Sequence, residues 1–155
     1  DAKATWLKDE CGVDEVINYK TCGDLSAALA AAAPEGIDVY FENVGGDHLQ
    51  AALNSMNPYG RIAACGMIAS YNNAQPAPGP NNLMLIVGKK IRINGFIVSD
   101  HADWREAFLA DMVPWIQQGK IKSQETVVEG IDNAVDAFLA LFSGDNFGKM
   151  VVKLG

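Results

Sequence analysis

Ile37-Asp38-Val39-Tyr40-Phe41-Glu42-Asn43-Val44-Gly45-Gly46 is the stretch whose reading decides the fold. Its first half is rich in β-branched and aromatic residues, the composition of a strand. The pattern stops at Gly45-Gly46, and Leu49, Ala52, Leu53 and Met56 then recur at helical spacing. Pro58 and Gly60 mark a turn. Beyond it, Arg61-Ile62-Ala63-Ala64-Cys65 is a strand made almost wholly of apolar residues. A strand of that kind is expected to be buried on both faces, as in a parallel sheet covered by helices.

The alternation extends in both directions. Upstream, residues 3–11 have helical propensity and Gly12 is a stop. Val16-Ile17-Asn18-Tyr19 reads as a short strand, and Asp24 stands where an N-cap belongs, ahead of Leu25, Ala28, Leu29 and Ala32. Downstream, residues 72–82 form a loop rich in proline and asparagine that cannot continue a helix. A short helix over Leu83–Val87 then leads to a strand over Ile91–Val98, whose first half alternates apolar with polar as at a sheet edge. Trp104, Phe108, Met112, Trp115 and Ile116 give a helix that Pro114 must tighten or kink. Glu125–Glu129, a helix with Ala134, Phe138, Leu141 and Phe142, and a strand over Met150–Leu154 complete the chain. The order predicts a Rossmann-like, doubly wound α/β sheet.

Composition narrows the function classes. The chain has 155 residues, 49% hydrophobic and 20% charged, as in a folded globular protein. Twelve basic against nineteen acidic residues give a net charge of −7, and no basic run exceeds Lys89-Lys90, so neither nucleic acid nor an anionic membrane is an expected partner. No apolar stretch is long enough to span a bilayer. Cys11, Cys22 and Cys65 are odd in number and unrelated in spacing, which points to a reducing, cytoplasmic compartment and to no metal site. His48 and His101 stand alone and read as solvated. The chain opens Asp1-Ala2-Lys3 in a helical pattern, with no secretory signal.

In an open parallel sheet, ligands sit at the carboxyl ends of the strands. Glu42-Asn43-Val44-Gly45-Gly46-Asp47, Cys65-Gly66-Met67-Ile68-Ala69-Ser70-Tyr71-Asn72 and Ser143-Gly144-Asp145-Asn146-Phe147-Gly148-Lys149 are polar, glycine-containing loops that follow or precede strands. Each alone is weak, but on one sheet edge they would converge on one crevice. The phosphate-cradling GxGxxG turn is absent from the sequence, as are GxSxG and a P-loop. From the residues alone the reading ends at an α/β domain with a small-molecule crevice.

The strings Val16–Lys20, Asp38–Gly46, Gly60–Gly66 and Ser70–Asn72 closely resemble the medium-chain dehydrogenase/reductase superfamily. Within it they resemble the zinc-independent branch of prostaglandin (leukotriene B4 dehydrogenase-like), alkenal and curcumin reductases. The resemblance continues through Gly95–Val98, Trp115, Gly119–Lys122, Glu129-Gly130 and Gly144–Lys149, and covers essentially the whole chain.

This resemblance implies NADP(H) as cofactor. Lys3 would face the adenosine 2′-phosphate, with Tyr19 at the same end. Asn43 belongs to the family's DNVGG-like motif, with Glu42 standing where relatives often carry Asp. Cys65, Gly66, Met67, Ile68, Ala69, Ser70 and Tyr71 would wrap the cofactor, Phe96, Ile97 and Val98 would back the nicotinamide, and Asn146 would close over it. Reduction of the C=C bond of an α,β-unsaturated ketone or aldehyde is the implied reaction. Tyr71 is its catalytic candidate, ordering the ribose hydroxyl that reaches the enolate.

The resemblance also implies a fragment. The first β-turn-α unit with its glycine-rich loop would precede Asp1. Residues 1–129 would be the later part of the NADP-binding Rossmann domain, and 130–155 a segment returning to an N-terminal substrate domain. The 155 residues alone are then expected to be inactive. A homodimer joined through the edge strand Ile91–Val98 is implied as well. The alternatives are a stand-alone nucleotide-binding or interaction domain without catalysis, or a domain for another adenosine ligand such as a methyl donor.

Overall fold

The computed structural model of the chain describes residues 2–155. In chain order its elements are α1 (Ala2–Asp9), α2 (Leu25–Ala32), β1 (Ile37–Glu42), α3 (Gly46–Ser55), β2 (Met56–Ala64), α4 (Met84–Lys89), β3 (Arg92–Gly95), α5 (Arg105–Gln117), β4 (Glu125–Glu129), α6 (Ala134–Ser143) and β5 (Lys149–Lys153), with short 3₁₀ turns at Ile68–Ser70, Val98–Trp104 and Ile131–Asn133. They form two compact units, one over Glu15–Glu106, the other comprising the chain up to Asp14 together with Ala107–Gly155.

The first unit holds a parallel three-stranded sheet in the order β1-β2-β3. Asp24 starts α2 as expected, its carboxylate accepting the Ala27 N–H at 3.1 Å. The amphipathic α3 turns Leu49, Ala52 and Leu53 inward, and Leu53 is wholly buried. Leu49, Leu53, Met56, Ile62 and Ile91 form the core, with Ile37, Tyr40, Leu85 and Ile86 packed around it. Lys89 closes α3 from outside its own sequence: its ammonium donates to the carbonyls of Leu53, Asn54 and Met56 at 3.2, 2.8 and 2.8 Å. A cation there meets both the unpaired carbonyls and the negative end of the helix dipole.

Several expectations need correction. Val16–Tyr19 is not a strand, because Asn18 turns the chain at once. Its carbonyl accepts from Thr21 and Cys22 and its side chain from the Lys20 N–H. Pro58 and Gly60 lie inside β2, not before it. The register steps from Ile37↔Met56 to Val39↔Arg61, so residues 57–60 bulge opposite Asp38, and Tyr59 takes a φ of 65° to allow it. Asn57 anchors the bulge through Asp38 at 2.9 Å. The strand expected over Ile91–Val98 pairs only over Arg92–Gly95. One further bond, Phe96 N–H to the Ala64 carbonyl, follows before the chain curls into a 3₁₀ turn at Val98. The sheet is also not buried on both faces within this unit. Ile62 faces the helices and is buried, whereas Val39 and Phe41, on the other face, are each 57% exposed.

In the second unit β4 and β5 pair in parallel, with α6 between them in sequence. Gly144, at a φ of 76°, ends α6 in the left-handed conformation that glycine adopts without strain. Phe147 packs edge-on against Trp6 at 5.7 Å, and the Thr126 hydroxyl is bonded to the backbone of Phe147. Pro114 sits within α5, and hydrogen bonding resumes beyond it with the Gln118 N–H on the Pro114 carbonyl.

Leu53 fixes α3 to the sheet, and nothing nearby can collapse into its space. Leu53→Ala is expected to cost about 3 kcal/mol, the usual penalty of a deep leucine cavity, read from the urea midpoint at constant m-value.

Candidate functional site

The carboxyl ends of β1, β2 and β3 lie side by side, and the loops leaving them are bonded to one another. The N–H groups of Cys65 and Gly66 donate to the Glu42 carbonyl at 2.9 and 3.1 Å, continuing the ladder past the last strand residue. One step further, Ile68 N–H donates to Asn43 and Ala69 N–H to Val44, at 3.1 and 3.0 Å. From the third strand, Phe96 reaches across to meet Phe41 edge-on at 6.0 Å. Asn43, Cys65–Tyr71 and Phe96–Val98 are therefore gathered on one edge; the third loop expected in the crevice, Ser143–Lys149, belongs to the second unit.

Two glycines make this convergence possible. Gly45 has a φ of 77°, and a Cβ there would lie 3.1 Å from the Met67 Cβ. A Cβ on Gly66 would lie 3.1 Å from the Tyr71 hydroxyl. A side chain at Gly45 would press on the β2 loop, and one at Gly66 on the Tyr71 hydroxyl of its own loop.

Tyr71 folds back over its own loop. Its hydroxyl oxygen accepts the Met67 N–H at 3.1 Å while the ring stays 65% exposed. A phenol held through a lone pair keeps its proton available to a further acceptor. Met67, Ile68, Ile97 and Val98 expose apolar surface on the same three loops. The edge thus offers an oriented hydroxyl, the Asn43 amide and apolar surface in one place.

Glu42 was not singled out as a site residue from the sequence, yet it organises this edge. It is fully buried at the end of β1. Its Oε1 accepts the N–H groups of Val44 and, at 2.9 Å, Gly45. Its Oε2 has no donor within hydrogen-bonding distance among the described residues. The legible signal is an acid at the last strand position, two and three residues ahead of amides that a turn leaves unpaired. The side chain of Tyr40 lies beside it. Burial, and then the Glu42 carboxylate as a charge and as a hydrogen-bond acceptor, push the Tyr40 hydroxyl well above the usual phenol range.

The remaining sequence-based candidates lie elsewhere. Tyr19 packs edge-on against His48 at 5.1 Å, beside the first turn of α3, so His48 is half-buried and not the solvated residue expected. Tyr19 and His48 line a polar cleft of about 280 Å³ with Asp24, Ser26 and Asp47. Lys3 and Asn146 belong to the second unit. There the Lys3 ammonium donates to the Gly144 carbonyl at 2.6 Å, and the Asn146 side chain to the Gly148 carbonyl at 2.6 Å. Among the described residues no group of three His, Cys, Asp or Glu side chains is placed to hold a metal ion. No described helix is long and apolar enough to cross a membrane.

Residues 1–113 match the sequence profile of the family described as zinc-binding dehydrogenase. Over 150 residues, 97% of this chain, it is 47% identical to the 2-alkenal reductase (NADP(+)-dependent) of Nicotiana tabacum, covering 43% of that protein. Prostaglandin reductase 1 of Bos taurus is 43% identical over 155 residues, 99% of this chain and 46% of that protein. Among solved structures, CurA from Vibrio vulnificus in complex with NADPH superposes with a TM-score of 0.90 at 39% identity, covering 100% of this chain and 47% of that one. The chain spans about half the length of these relatives. With the profile matched over most of the chain and the fold shared, this chain belongs to the zinc-binding dehydrogenase family, in the reductase branch of the medium-chain dehydrogenase/reductase superfamily.

Proposed function

We propose that the protein containing this chain is an NADPH-dependent reductase of the C=C bond in α,β-unsaturated ketones and aldehydes. The observation that carries the reading is the bonded edge of three strand-exit loops, which presents the Tyr71 hydroxyl over Gly66 beside Asn43. Relatives named as 2-alkenal reductase, prostaglandin reductase 1 and (+)-pulegone reductase support the reaction class, and the NADPH complex of CurA supports the cofactor.

The residues present fit one part of such a cofactor. Asn43, the backbone of Cys65–Ser70, the Tyr71 hydroxyl and the Phe96–Val98 segment combine uncharged polar groups with apolar surface, which suits a carboxamide ring and its ribose. The resemblance assigns the 2′-phosphate to Lys3 and Tyr19 and closure over the cofactor to Asn146, and a point-charge ammonium suits that anion. Bound NADPH supplies the hydride delivered to the β-carbon of the substrate. Tyr71 holds a proton at its hydroxyl and orders the ribose hydroxyl that faces the developing enolate. An oriented donor aimed at that oxygen contributes most when it is already in place, and the Met67 N–H sets it there.

Residues 1–129 form the later part of the NADP-binding domain, and 130–155 return to a substrate domain that the chain itself does not contain. On this reading the reaction runs without zinc, as the resemblance to the zinc-independent branch implies. The enzyme works in the cytoplasm. It pairs with a second copy through the edge of β3, which is shorter than the expected strand but ends the three-stranded sheet.

Three outcomes are expected. In the full-length gene product Tyr71→Phe should lower kcat for an enone about 100-fold, the scale of losing one preorganised donor; unchanged kcat and unchanged NADPH affinity would remove Tyr71 from the site. The 155-residue chain alone should show no enone-dependent loss of NADPH absorbance, and measurable turnover would overturn the division of labour between the domains. Light scattering of the full-length product should give twice the protomer mass. A monomer at high concentration would count against pairing through β3.

A further inference from the structure

Glu42 sits where two loops meet and serves both. Its main-chain carbonyl accepts from Cys65 and Gly66, so the β2 loop hangs from it. Its buried carboxylate accepts from Val44 and Gly45, so the β1 loop is tied down by its side chain. The carbonyls of Asn43 and Val44, positioned by that side-chain tie, in turn accept from Ile68 and Ala69. The turn held by the carboxylate is thus the platform on which the Tyr71 loop rests.

We propose that Glu42 is a positioning residue of the cofactor site: its carboxylate sets the Asn43–Gly46 turn and, through it, the Tyr71 loop. The inference rests on the NADPH-dependent reading given above.

Two physical points support a role for the charge and not only for the shape. An ionised acceptor binds amides more strongly than a neutral one. The carboxylate also lies just ahead of the first residue of α3, where the helix's positive end favours an anion. Bonded to Val44 and Gly45, immediately ahead of the helix, it sets a negative charge where a phosphate approaching that end would meet repulsion. Glu42 therefore steers the anionic part of a cofactor away from α3 and reserves this edge for an uncharged part.

The test uses the full-length gene product with two substitutions of similar volume. Glu42→Gln keeps one oxygen acceptor and loses the charge, and Glu42→Met loses both. The expected KM for NADPH rises about threefold in Glu42→Gln and more than tenfold in Glu42→Met. In hydrogen exchange the amides of Cys65, Gly66, Ile68 and Ala69 lose protection in the same order. Leu53→Ala serves as the structural control, because it destabilises the same unit without touching either loop and should leave KM and those amides unchanged relative to the rest of the unit.

Glu42→Met with KM within twofold of wild type and protected loop amides overturns the proposal. So does a KM rise no larger than that of Leu53→Ala at equal loss of stability. If Glu42→Met does not fold, Glu42→Gln decides, and unchanged KM with unchanged exchange in that variant overturns it. If the wild-type protein itself does not oxidise NADPH with any enone, the functional reading fails. Exchange at the loop amides then still reports whether Glu42 positions them.

Discussion

A buried carboxylate tied to its own backbone is the constraint on which the candidate site depends. Parallel strands end with their next amides and carbonyls unsatisfied, and a loop leaving such an edge has no ladder to hold it. Here the ladder between β1 and β2 is continued for four more hydrogen bonds by the loops themselves, from Cys65 to Ala69 on one side and from Glu42 to Val44 on the other. That continuation is possible only if the Asn43–Gly46 turn is fixed, and Glu42 Oε1 fixes it from within. Burying a carboxylate is costly unless it is hydrogen-bonded. Two backbone amides and the positive end of α3 offset that cost, and the Tyr40 hydroxyl stands next to the group as a neutral neighbour.

The rest of the first unit serves to place that carboxylate. Leu49 and Leu53 fix α3 on the sheet, Lys89 seals its far end, and Ala51 and Ala52 are small enough to be fully buried. The turn ahead of the helix is held by Glu42 itself, through Val44 and Gly45. The bulge at residues 57–60 acts at the opposite end of the sheet. It absorbs the irregularity of Pro58 far from the loops, and leaves β2 in regular register with β1 from Arg61 to Ala64, where the site needs it.

How much of this was legible follows from which forces are local. The α3 pattern and the Asp24 cap are written in spacing and residue type, and they appear as read. The strand predicted at Val16–Tyr19 failed because Asn18 satisfies its neighbours' amides within a turn, a local competition that hydropathy does not register. The strand at Ile91–Val98 was overestimated because strand length is set by the partner, and β2 offers its last acceptor at Ala64. Burial on both faces was inferred from apolar content, but Val39 and Phe41 show that an apolar strand residue need not be covered within its own unit. Glu42 was read as part of a loop motif but not given a role, because an acid at a strand end ordinarily points to solvent, and only the turn that follows reveals two amides waiting for it.

The chemistry of the edge also explains why it suits one part of an extended anionic ligand. Phosphate sites on α/β sheets use free amides at a helix N-terminus. Just ahead of α3 a buried carboxylate is bonded to the Gly45 amide, so a phosphate approaching that helix end would meet a like charge. What remains free is the Tyr71 proton, the Asn43 amide and apolar surface from Met67, Ile68 and Ile97. On the proposed reading, that set suits a planar, uncharged amide-bearing ring and its sugar. A chain of net charge −7 then meets, on the same reading, an anionic cofactor at this edge with uncharged groups, and the buried Glu42 charge disfavours a phosphate there.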